Sequence, residues 1–535
     1  MRGIKILLAA ALPLVFFSCG PDSLTGEESG GVVEKRLMAV LGDGTKATVS
    51  PNGACSWSTG DEIAVGTGGS ESRNMTLISC SGGSAVFSAL FEPGDGPRGF
   101  AVFPASALKA SGGTVVSVSY PAAYTWTKDM MCAPMFAEIT GSNSSFRHLG
   151  GMISIPCAEI PEDAVRVMVA SVKKRICGDF AVSDSRVESV DISGNSSVSV
   201  YFDNDGTART FNIPLPCGTY SSVYAAFVDA SGNKICEWEV LRNETVGRAD
   251  MYLRAKPSAM LRAASYNIRY SYSEEAYTGP DDPRKWDARK YVVPGALERR
   301  HIDLMGTQEN TQGQIADILA SLPNFTVTGR CNWGETWNAS SSYSNECAAI
   351  YCRNTISIED SGTFWYSSTP AVPSRESSAY NMRCCNWAKL SFKGHEFYIY
   401  NVHLQVDEDA GDKWRAKRVQ QAEMVLAEIK KVSDTYPVIM TGDFNPTLAT
   451  ETEAVSTRLN EGTMRDARAL VASPHGSYGS LHYFSQDNPS SKRVDYVLVN
   501  DKVKVHSFWI DNNQQSTGAW ESDHHPVVVD LSFND

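Results

Sequence analysis

The chain has 535 residues, which is too long for one ordinary hydrophobic core, so its length predicts two or three domains. Hydrophobic residues make up 42% of it and charged residues 20%, a balance that excludes a largely disordered chain. The net charge is -13, and residues 261–535 carry 27 Lys and Arg against 35 Asp and Glu, so the sequence does not indicate a broad basic surface for a polyanion.

The first 19 residues have the pattern of an export signal. Two basic residues precede an apolar run at 6–17, which is too short to span a bilayer as an ordinary helix. The run ends in Phe-Phe-Ser-Cys, which resembles the cleavage box of bacterial lipoproteins and implies that Cys19 is lipidated and becomes the mature N-terminus. Plain secretion with a coincidental cysteine is the alternative. We therefore expect a lipoprotein signal peptide at 1–19, a flexible stalk at 20–31, and a membrane-anchored protein outside the cytoplasm, in the outer membrane or at the cell surface of a Gram-negative bacterium.

Twelve cysteines remain after Cys19, seven before residue 261 and five after it. An exported chain permits disulfides, but no regular spacing is present, so the sequence predicts no particular pairing.

The segment at 32–256 has the pattern of an all-β region. Short alternating runs about ten residues apart are separated by turns rich in Gly, Ser, Asn and Asp, which indicates two antiparallel β-sandwiches with a break near 146–152. Three stretches resemble the fimbrillin-like domains of Bacteroidetes lipoproteins: Trp-Ser-Thr-Gly-Asp-Glu-Ile-Ala-Val at 57–65, Phe-Arg-His-Leu-Gly-Gly-Met at 146–152, and Ile-Cys-Gly-Asp-Phe at 176–180. The resemblance implies adhesion, assembly or spacing.

The segment at 261–535 alternates between helical and strand-like patterns. Helices are predicted at 286–300, 315–322 and 414–431, and strands at 263–268, 348–351, 397–404, 438–440, 494–499 and 527–531. This alternation predicts an α/β domain in which helices cover sheets.

Polar residues near the ends of these strands are candidates for a site. Asp443 and Asn445 follow the strand at 437–440, although a turn rich in Gly, Asp and Asn is equally expected there. His403 also ends a strand, where a histidine satisfied within the core is the alternative. Glu309 ends an apolar run, where a solvated loop carboxylate is the alternative.

Two further candidates are harder to explain as ordinary structure. Asp495 lies inside the apolar run at 494–499, where a carboxylate must be paired, hydrogen-bonded or metal-bound. Asp523 directly precedes His524 and can orient or charge its imidazole.

Together these residues suit the hydrolysis of a phosphate ester. The reaction needs a Lewis acid, a positioned water and an acid–base pair. Glu309 is the first choice as a ligand for Mg2+, and Asn267 and Asp495 could orient or supplement it. His403 and His524 could exchange protons. A zinc cage is less favoured, because no Cys/His spacing of the usual form is present.

The order of the motifs resembles the endonuclease/exonuclease/phosphatase superfamily. The motifs are Asn267, Gln308-Glu309, Asn401-Val402-His403, Gly442-Asp443-Phe444-Asn445, Arg493-Val494-Asp495-Tyr496 and Ser522-Asp523-His524-His525-Pro526. The resemblance spans 261–535 and implies a four-layer sandwich, two β-sheets face to face with helices outside. It also implies a divalent cation, Mg2+ with Mn2+ or Ca2+ as substitutes.

The resemblance implies a role for each residue. Glu309 would bind the metal with Asn267 beside it, and Asp443 and Asn445 would hold the nucleophilic water and the phosphate. Asn267 is also a phosphate-binding candidate, as is Asn401.

The remaining residues would act around the leaving group. Asp495 and His403 are assigned there by the resemblance. His524, oriented by Asp523, would be a general base or a phosphate-stabilising imidazole.

The substrate is less well indicated than the chemistry. His403 matches the histidine-containing forms of the superfamily, whereas Cys331-Asn332-Trp333-Gly334 stands where an acidic turn is expected. Aromatic residues are expected around the cleft: Trp333, Trp337, Trp365, Tyr366 and Trp387. Together with the acidic balance, they favour a small or headgroup-sized phosphodiester over duplex DNA. A secreted nuclease, and an adhesive or structural lipoprotein with a non-catalytic C-terminal module, are the alternatives.

Overall fold

The structure is a computed structural model. It describes residues 32–41, 57–68, 71–81, 83–112, 115–127, 133–271, 277, 279, 282–334, 346–376, 379, 381–406, 412–445, 464–476, 479–485, 492–512 and 521–534. The predicted signal peptide, the stalk, the lipidation site Cys19 and Trp337 lie outside these residues. Among the helices that it describes, none has the length and apolar character needed to cross a membrane.

The first body of the chain is a closed seven-stranded barrel. Its strands are β1 (Val33–Leu41), β2 (Glu62–Gly66), β3 (Ser72–Ser81), β4 (Ser84–Phe91), β5 (Gly99–Phe103), β9 (Met135–Thr140) and β10 (Asn143–His148). They follow one another around the barrel in the order β1-β10-β9-β5-β2-β3-β4. β1 pairs with β4 in the antiparallel direction and with β10 in the parallel direction, and these two pairings close the sheet into a barrel. The prediction of two sandwiches is therefore wrong for this body.

The second body is a β-sandwich, as predicted. Its strands are β6 (Leu108–Gly112), β7 (Val115–Tyr120), β8 (Ala123–Thr125), β11 (Gly150–Cys157), β12 (Arg166–Lys174), β13 (Gly178–Ala181), β14 (Asp191–Tyr201), β15 (Arg209–Pro216), β16 (Gly218–Val228), β17 (Lys234–Val246) and β18 (Met251–Leu253). The five-stranded sheet β17-β16-β12-β14-β8 and the three-stranded sheet β15-β11-β18 share one apolar core, and β13-β7-β6 forms a further small sheet. The all-β character of the N-terminal region is confirmed, whereas its fimbrillin-like identity stays a prediction.

The C-terminal segment contains two mixed sheets. The seven-stranded sheet has the order β21-β22-β20-β19-β31-β30-β28 and the six-stranded sheet the order β23-β24-β25-β26-β29-β27. The strands are β19 (Leu261–Asn267), β20 (Leu304–Gln308), β21 (Phe325–Thr328), β22 (Ile350–Arg353), β23 (Ser357–Trp365), β24 (Cys384–Phe392), β25 (His395–His403), β26 (Val438–Asp443), β27 (Arg465–Asp466), β28 (His475–Gly476), β29 (Asp495–Val499), β30 (Val503–Ile510) and β31 (Val527–Phe533).

The helices described in this segment are α1 (Trp286–Arg289), α2 (Val292–Arg299), α3 (Gln312–Ser321), α4 (Asp412–Lys430) and α5 (Ala467–Leu470). The first four cover the outer faces of the sheets, whereas Ala467 of α5 packs in the core between them. Apolar side chains of α1, α2 and α3 pack on the seven-stranded sheet, and those of α4 pack on the six-stranded sheet. A third core lies between the sheets. This layering agrees with the predicted sandwich, although the helix expected at 286–300 is divided into α1 and α2.

Candidate active site

The site lies where strands of the two facing sheets end together. In the seven-stranded sheet, parallel pairing sets Asn267 of β19 beside Gln308 of β20, directly before Glu309. In the six-stranded sheet, parallel pairing sets His403 beside Asp443, and antiparallel pairing sets Asp443 opposite Asp495. Because these strands end at the same edge, residues that are distant in sequence meet there.

Asn267 joins the carboxylates of the two sheets. It is fully buried, and its amide Nδ2 donates to Glu309 Oε1 and to Asp443 Oδ2, both at 3.0 Å. Its Oδ1 accepts from the backbone N–H of Arg269 at 3.0 Å. The amide oxygen therefore points away from the two carboxylates, and Asn267 would have to turn its amide over to ligate a metal between them.

Asp443 lies at the centre of the site. Its Oδ2 is 3.7 Å from His403 Nε2 and 4.0 Å from His524 Nε2, and its Oδ1 accepts from the backbone N–H of Asn445 at 2.9 Å. Burial, together with the charge of Asp495, raises the pKa of the Asp443 carboxyl. The structure thus brings together a carboxylate and two imidazoles, as the sequence analysis expected.

His524 is paired with Asp495. Its Nδ1 is 2.8 Å from Asp495 Oδ2, and both residues are buried. Burial alone would lower the pKa of His524, but Asp495 and the nearby carboxylates of Asp523 and Asp443 raise that pKa to about 10. The imidazole is therefore protonated near neutrality in this arrangement. Its two predicted roles, general base and phosphate-stabilising imidazole, stay predictions.

His403 is held by Glu346, a residue that the sequence analysis did not select. Its Nδ1 contacts Glu346 Oε1 and lies 2.7 Å from Arg383 Nη1, while Arg383 also contacts Glu346 Oε2. The Glu346 carboxylate accepts the backbone N–H of Glu309 as well. Burial alone would raise the pKa of the Glu346 carboxyl, but Arg383 and His403 lower that pKa to about 2. Glu346 is therefore an anion that fixes His403 with Nε2 towards Asp443.

A disulfide anchors Glu346 from the neighbouring position. Cys347 is bonded to Cys331, and its backbone N–H donates to the carbonyl of Asn310 at 2.7 Å. The backbone N–H of Asn332 donates to the carbonyl of Glu346 at 2.8 Å. The cross-link and these bonds fix the backbone that presents Glu346 to His403.

Replacing Glu346 by Gln should lower kcat about 10- to 100-fold, the usual effect of losing a group that orients a functional imidazole. KM should change little, because the carboxylate faces His403 and Arg383 rather than open solvent. Steady-state rates on a small phosphate ester would measure both constants. Glu298→Gln, at a half-exposed glutamate of the same segment, is the matched control. A wild-type kcat for Glu346→Gln would show that the imidazole does not depend on this carboxylate.

Arg269 is a second residue that the sequence analysis missed. Its Nη1 is 3.5 Å from Glu309 Oε2 and its Nε is 3.7 Å from Asp523 Oδ2. About a quarter of its side chain is exposed, at 26%. Its guanidinium thus lies at the mouth of the site, where it can contact an anionic substrate. The only signal in the sequence is its place two residues after Asn267.

Asn401 does not face the site, in contrast to the phosphate-binding role expected for it. It is fully buried, and its amide donates to the carbonyls of Thr307 and Ala349 at 2.8 and 3.0 Å. Its Oδ1 accepts from Gln308 at 2.8 Å and from Thr441 at 3.0 Å. Because all its hydrogen-bonding positions are filled, Asn401 ties the two sheets together beneath the site.

Asn445 and Asp523 lie at the edges of the site. Asn445 has a left-handed backbone (φ 51°), and its Nδ2 donates to the carbonyl of Leu404 at 3.1 Å. Asp523 accepts from Ser522 Oγ at 3.3 Å and faces Arg269 rather than His524. His524 is therefore oriented by Asp495, not by Asp523 as expected.

Most of the aromatic residues expected around the cleft belong to the core. Trp365 and Tyr366 are buried, and Trp387 is partly buried against Tyr398. Among those of the five that the structure describes, Trp333 is the exception, with 61% of its surface exposed. The sequence pattern could not separate rings that fill a sandwich from rings that line its rim.

The site has the ligand chemistry of a divalent-metal centre. Asp443, Asp495 and His524 offer ligand atoms within 4.8 Å of one another among the described residues. Asp495 Oδ1 is buried and has no hydrogen-bond partner among the described residues. The Asn267 amide donates to both Glu309 and Asp443, which brings these two carboxylates close together. Hard divalent cations prefer carboxylate oxygens to imidazole nitrogen, so Asp443, Asp495 and Glu309 are the better ligands. Oxygen donors of this kind fit Mg2+.

The comparison with protein families selects the same part of the chain. The model of the Endonuclease/Exonuclease/phosphatase family matches residues 264–524, which is just under half of the chain. The matched range contains Asn267 near one end and His524 at the other. Over this segment the match confirms the resemblance that the motifs indicated.

Solved structures similar to this chain align with about half of it. An endonuclease/exonuclease/phosphatase from Bacteroides vulgatus is 28% identical, with 51% of this chain and 99% of that chain covered and a TM-score of 0.44. A family protein from Bacteroides thetaiotaomicron is 26% identical, with 52% and 98% covered and a TM-score of 0.44. A mannosyl-6-phosphatase from the same organism is 27% identical, with 51% and 100% covered and a TM-score of 0.43. No curated protein matches the chain.

Proposed function

We propose that residues 261–535 form a divalent-metal-dependent hydrolase of phosphate esters, a member of the family whose model matches there. The observation that carries the proposal is the arrangement around Asp443. Two imidazoles, each oriented by a carboxylate of its own, face the same buried aspartate from either side. Two histidines of this kind suit a reaction in which one group receives a proton and another stabilises charge.

The side chains divide the chemistry between them. Glu309 and Asp443 would hold Mg2+, with Asp495 close by, and the bound ion would supply positive charge to the phosphoryl oxygens. Asp443 positions the attacking water through the oxygen that faces the imidazoles. His403, fixed by Glu346, would take a proton from the attacking water and return one to the leaving oxygen, while the His524 imidazolium would stabilise negative charge on the phosphoryl group.

Two exposed aromatic residues support a substrate with a ring or headgroup. Trp333 follows Asn332, whose backbone bonds the Glu346 carbonyl on the His403 side of the site. Tyr483 is 64% exposed, and its backbone N–H donates to the Asp523 carbonyl on the other side at 3.1 Å. Rings at both edges suit a small diester or a headgroup. The acidic balance of the segment argues against duplex DNA, whose binding depends on several phosphate contacts.

The decisive assay is release of nitrophenol from bis(p-nitrophenyl) phosphate with Mg2+ and with EDTA. We expect turnover that Mg2+ supports and EDTA removes. Rates on plasmid DNA, sphingomyelin vesicles and small phosphodiesters at one salt concentration would rank the substrates. Plasmid nicking as the fastest reaction, falling steeply as salt rises, would favour the nuclease alternative. The absence of turnover on every substrate would favour the non-catalytic alternative.

Replacing Glu309 by Gln should raise the Mg2+ concentration needed for half-maximal rate by at least tenfold. The change removes the charge of a hard oxygen ligand but keeps the side chain's size and its bond from Asn267. The melting curve should stay close to wild type, because the amide oxygen of Gln can still accept the bond from Asn267. Glu396→Gln, at an exposed glutamate paired with Lys389, is the control. Superimposable Mg2+ titrations of Glu309→Gln and wild type would exclude Glu309 as a ligand.

We further propose that the protein is exported and anchored outside the cytoplasm by lipid on Cys19, with the β region as a spacer. The supporting observation is the Phe-Phe-Ser-Cys box after the apolar run at 6–17. Cys19→Ala should leave the protein uncleaved or released, and phase partitioning in detergent would show it. Correctly processed protein that still enters the detergent phase would contradict the anchor.

A further inference from the structure

A cavity of about 330 Å³ lies between the second β body and the C-terminal segment, apart from the residues of the active site. The lining residues that matter for binding are Glu237, Arg262, Arg300, His475 and Trp509. Its size is at the lower end of the range that small-molecule sites occupy.

The charges around the cavity are balanced. Lys234 pairs with Glu237, and Arg262 pairs with Asp530 at 2.9 Å. Arg299 pairs with Glu521 at 2.7 Å, and Arg300 with both Asp511 and Glu521. Each of the four cations thus has a carboxylate partner. Burial lowers the pKa of His475, so that its ring is neutral. The cavity therefore has no excess charge that would select an anion or a cation.

Three lining side chains nevertheless keep buried polar atoms that have no hydrogen-bond partner in the described part of the chain. They are Arg300 Nη2, Glu237 Oε2 and His475 Nε2, of which the last two lie 3.7 Å apart, too far for a direct hydrogen bond. The first is a donor, the second is an acceptor, and the imidazole nitrogen can be either. A phosphate or carboxylate could accept from Arg300 but would be repelled by Glu237. Hydroxyl groups both donate and accept, and so they suit all three atoms.

An aromatic ring lies beside these polar groups. Trp509 lines the cavity, and the guanidinium of Arg262 lies 4.6 Å from the centre of its ring, which fixes the orientation of the indole. Aromatic faces pack well against the C–H surfaces of sugar rings, which also carry the hydroxyls that the unpaired atoms require.

We propose that this cavity is a binding site for a neutral saccharide, separate from the active site. The ligand would lie against Trp509 and exchange hydrogen bonds with Glu237, His475 and Arg300. The proposal is independent of the hydrolase proposal, because the cavity shares no residue with the catalytic groups.

The test is isothermal titration of the full chain, without added metal, with glucose, mannose, galactose, xylose and maltose, and with inorganic phosphate as an anionic arm. We expect at least one sugar to bind with one site per chain, while phosphate does not displace it. His475→Phe should weaken that binding at least tenfold, since it removes the ring nitrogen but keeps the edge contact with Tyr224. Trp509→Leu should weaken it similarly.

Lys393→Ala is the matched control, because Lys393 and Glu159 form an exposed ion pair between the same two parts of the chain away from the cavity. Melting curves of all the variants would show that they fold. No binding of any sugar, binding that folded His475→Phe leaves unchanged, or phosphate binding in place of sugar would each overturn the proposal.

Discussion

Asp443→Asn should reduce kcat on a small phosphate ester about 100- to 10,000-fold, the range of positioned acid–base and charge effects. The variant keeps the shape of the side chain but removes the charge between two imidazoles. It also places an amide where Asp443 Oδ2 accepts from Asn267 Nδ2 at 3.0 Å, so that two N–H donors can meet there. Steady-state rates at saturating Mg2+ would measure the loss. Asp434→Asn, at an exposed aspartate of the same segment, should retain the wild-type rate.

The reduction should appear without unfolding, which separates loss of chemistry from loss of structure. Burial and the charge of Asp495 raise the pKa of the Asp443 carboxyl, which means that ionising this carboxyl costs free energy in the folded protein. Removing the buried charge should stabilise the fold, whereas the new amide contact with Asn267 should destabilise it, so the melting temperature should stay close to that of the wild type. Retention of more than about a tenth of the wild-type rate would remove Asp443 from the catalytic residues.

The sequence predicted the residues that lie at strand ends but not the residues that support them. His403, Asp443 and Asp495 could be selected because each interrupts or ends an apolar run, and strand pairing then brings them to one edge. Glu346 and Arg383 could not, because each stands in a polar stretch with no periodic pattern. Their function depends on tertiary contacts that only the folded chain makes.

Two of the predicted roles do not match the contacts in the structure. Asp523 precedes His524 in sequence, yet successive side chains of an extended segment point in different directions, and the partner of His524 is Asp495 from β29. Asn401 lies two residues before His403 on β25, and its side chain is used in bonds to the facing sheet and to Thr441 of its own sheet. Proximity along the chain therefore predicted the right neighbourhood but the wrong contacts.

The architecture was predictable where it depends on local patterning. Alternating runs identified the β region, and mixed periodicity identified the α/β segment. The closure of the first body was not predictable, because it depends on the parallel pairing of β1 with β10, whose residues Met38 and Asn143 are far apart in sequence. The break in the helix at 286–300 was not predicted, because the apolar residues before and after Lys290 and Tyr291 have the spacing of one continuous helix.

Asp530→Ala should lower the free energy of unfolding by about 3–5 kcal/mol, the usual cost of leaving one member of a buried ion pair alone. Arg262 donates to both Asp530 oxygens at 2.9 Å, and each side chain is 1% exposed. The same carboxylate accepts from Ser507 Oγ and from the backbone N–H of Glu237, both at 2.9 Å. The substitution therefore leaves the buried Arg262 without its carboxylate partner. It also removes the hydrogen bond to Glu237, which joins the second β body to the C-terminal segment. Denaturant unfolding of the full chain would measure the change.

Arg262→Met in the Asp530→Ala background should recover part of the loss by removing the unpaired charge. Lys393→Ala, which breaks only an exposed pair, should have little effect. If Asp530→Ala unfolds at the wild-type denaturant concentration, this buried pair does not hold the two parts of the chain together.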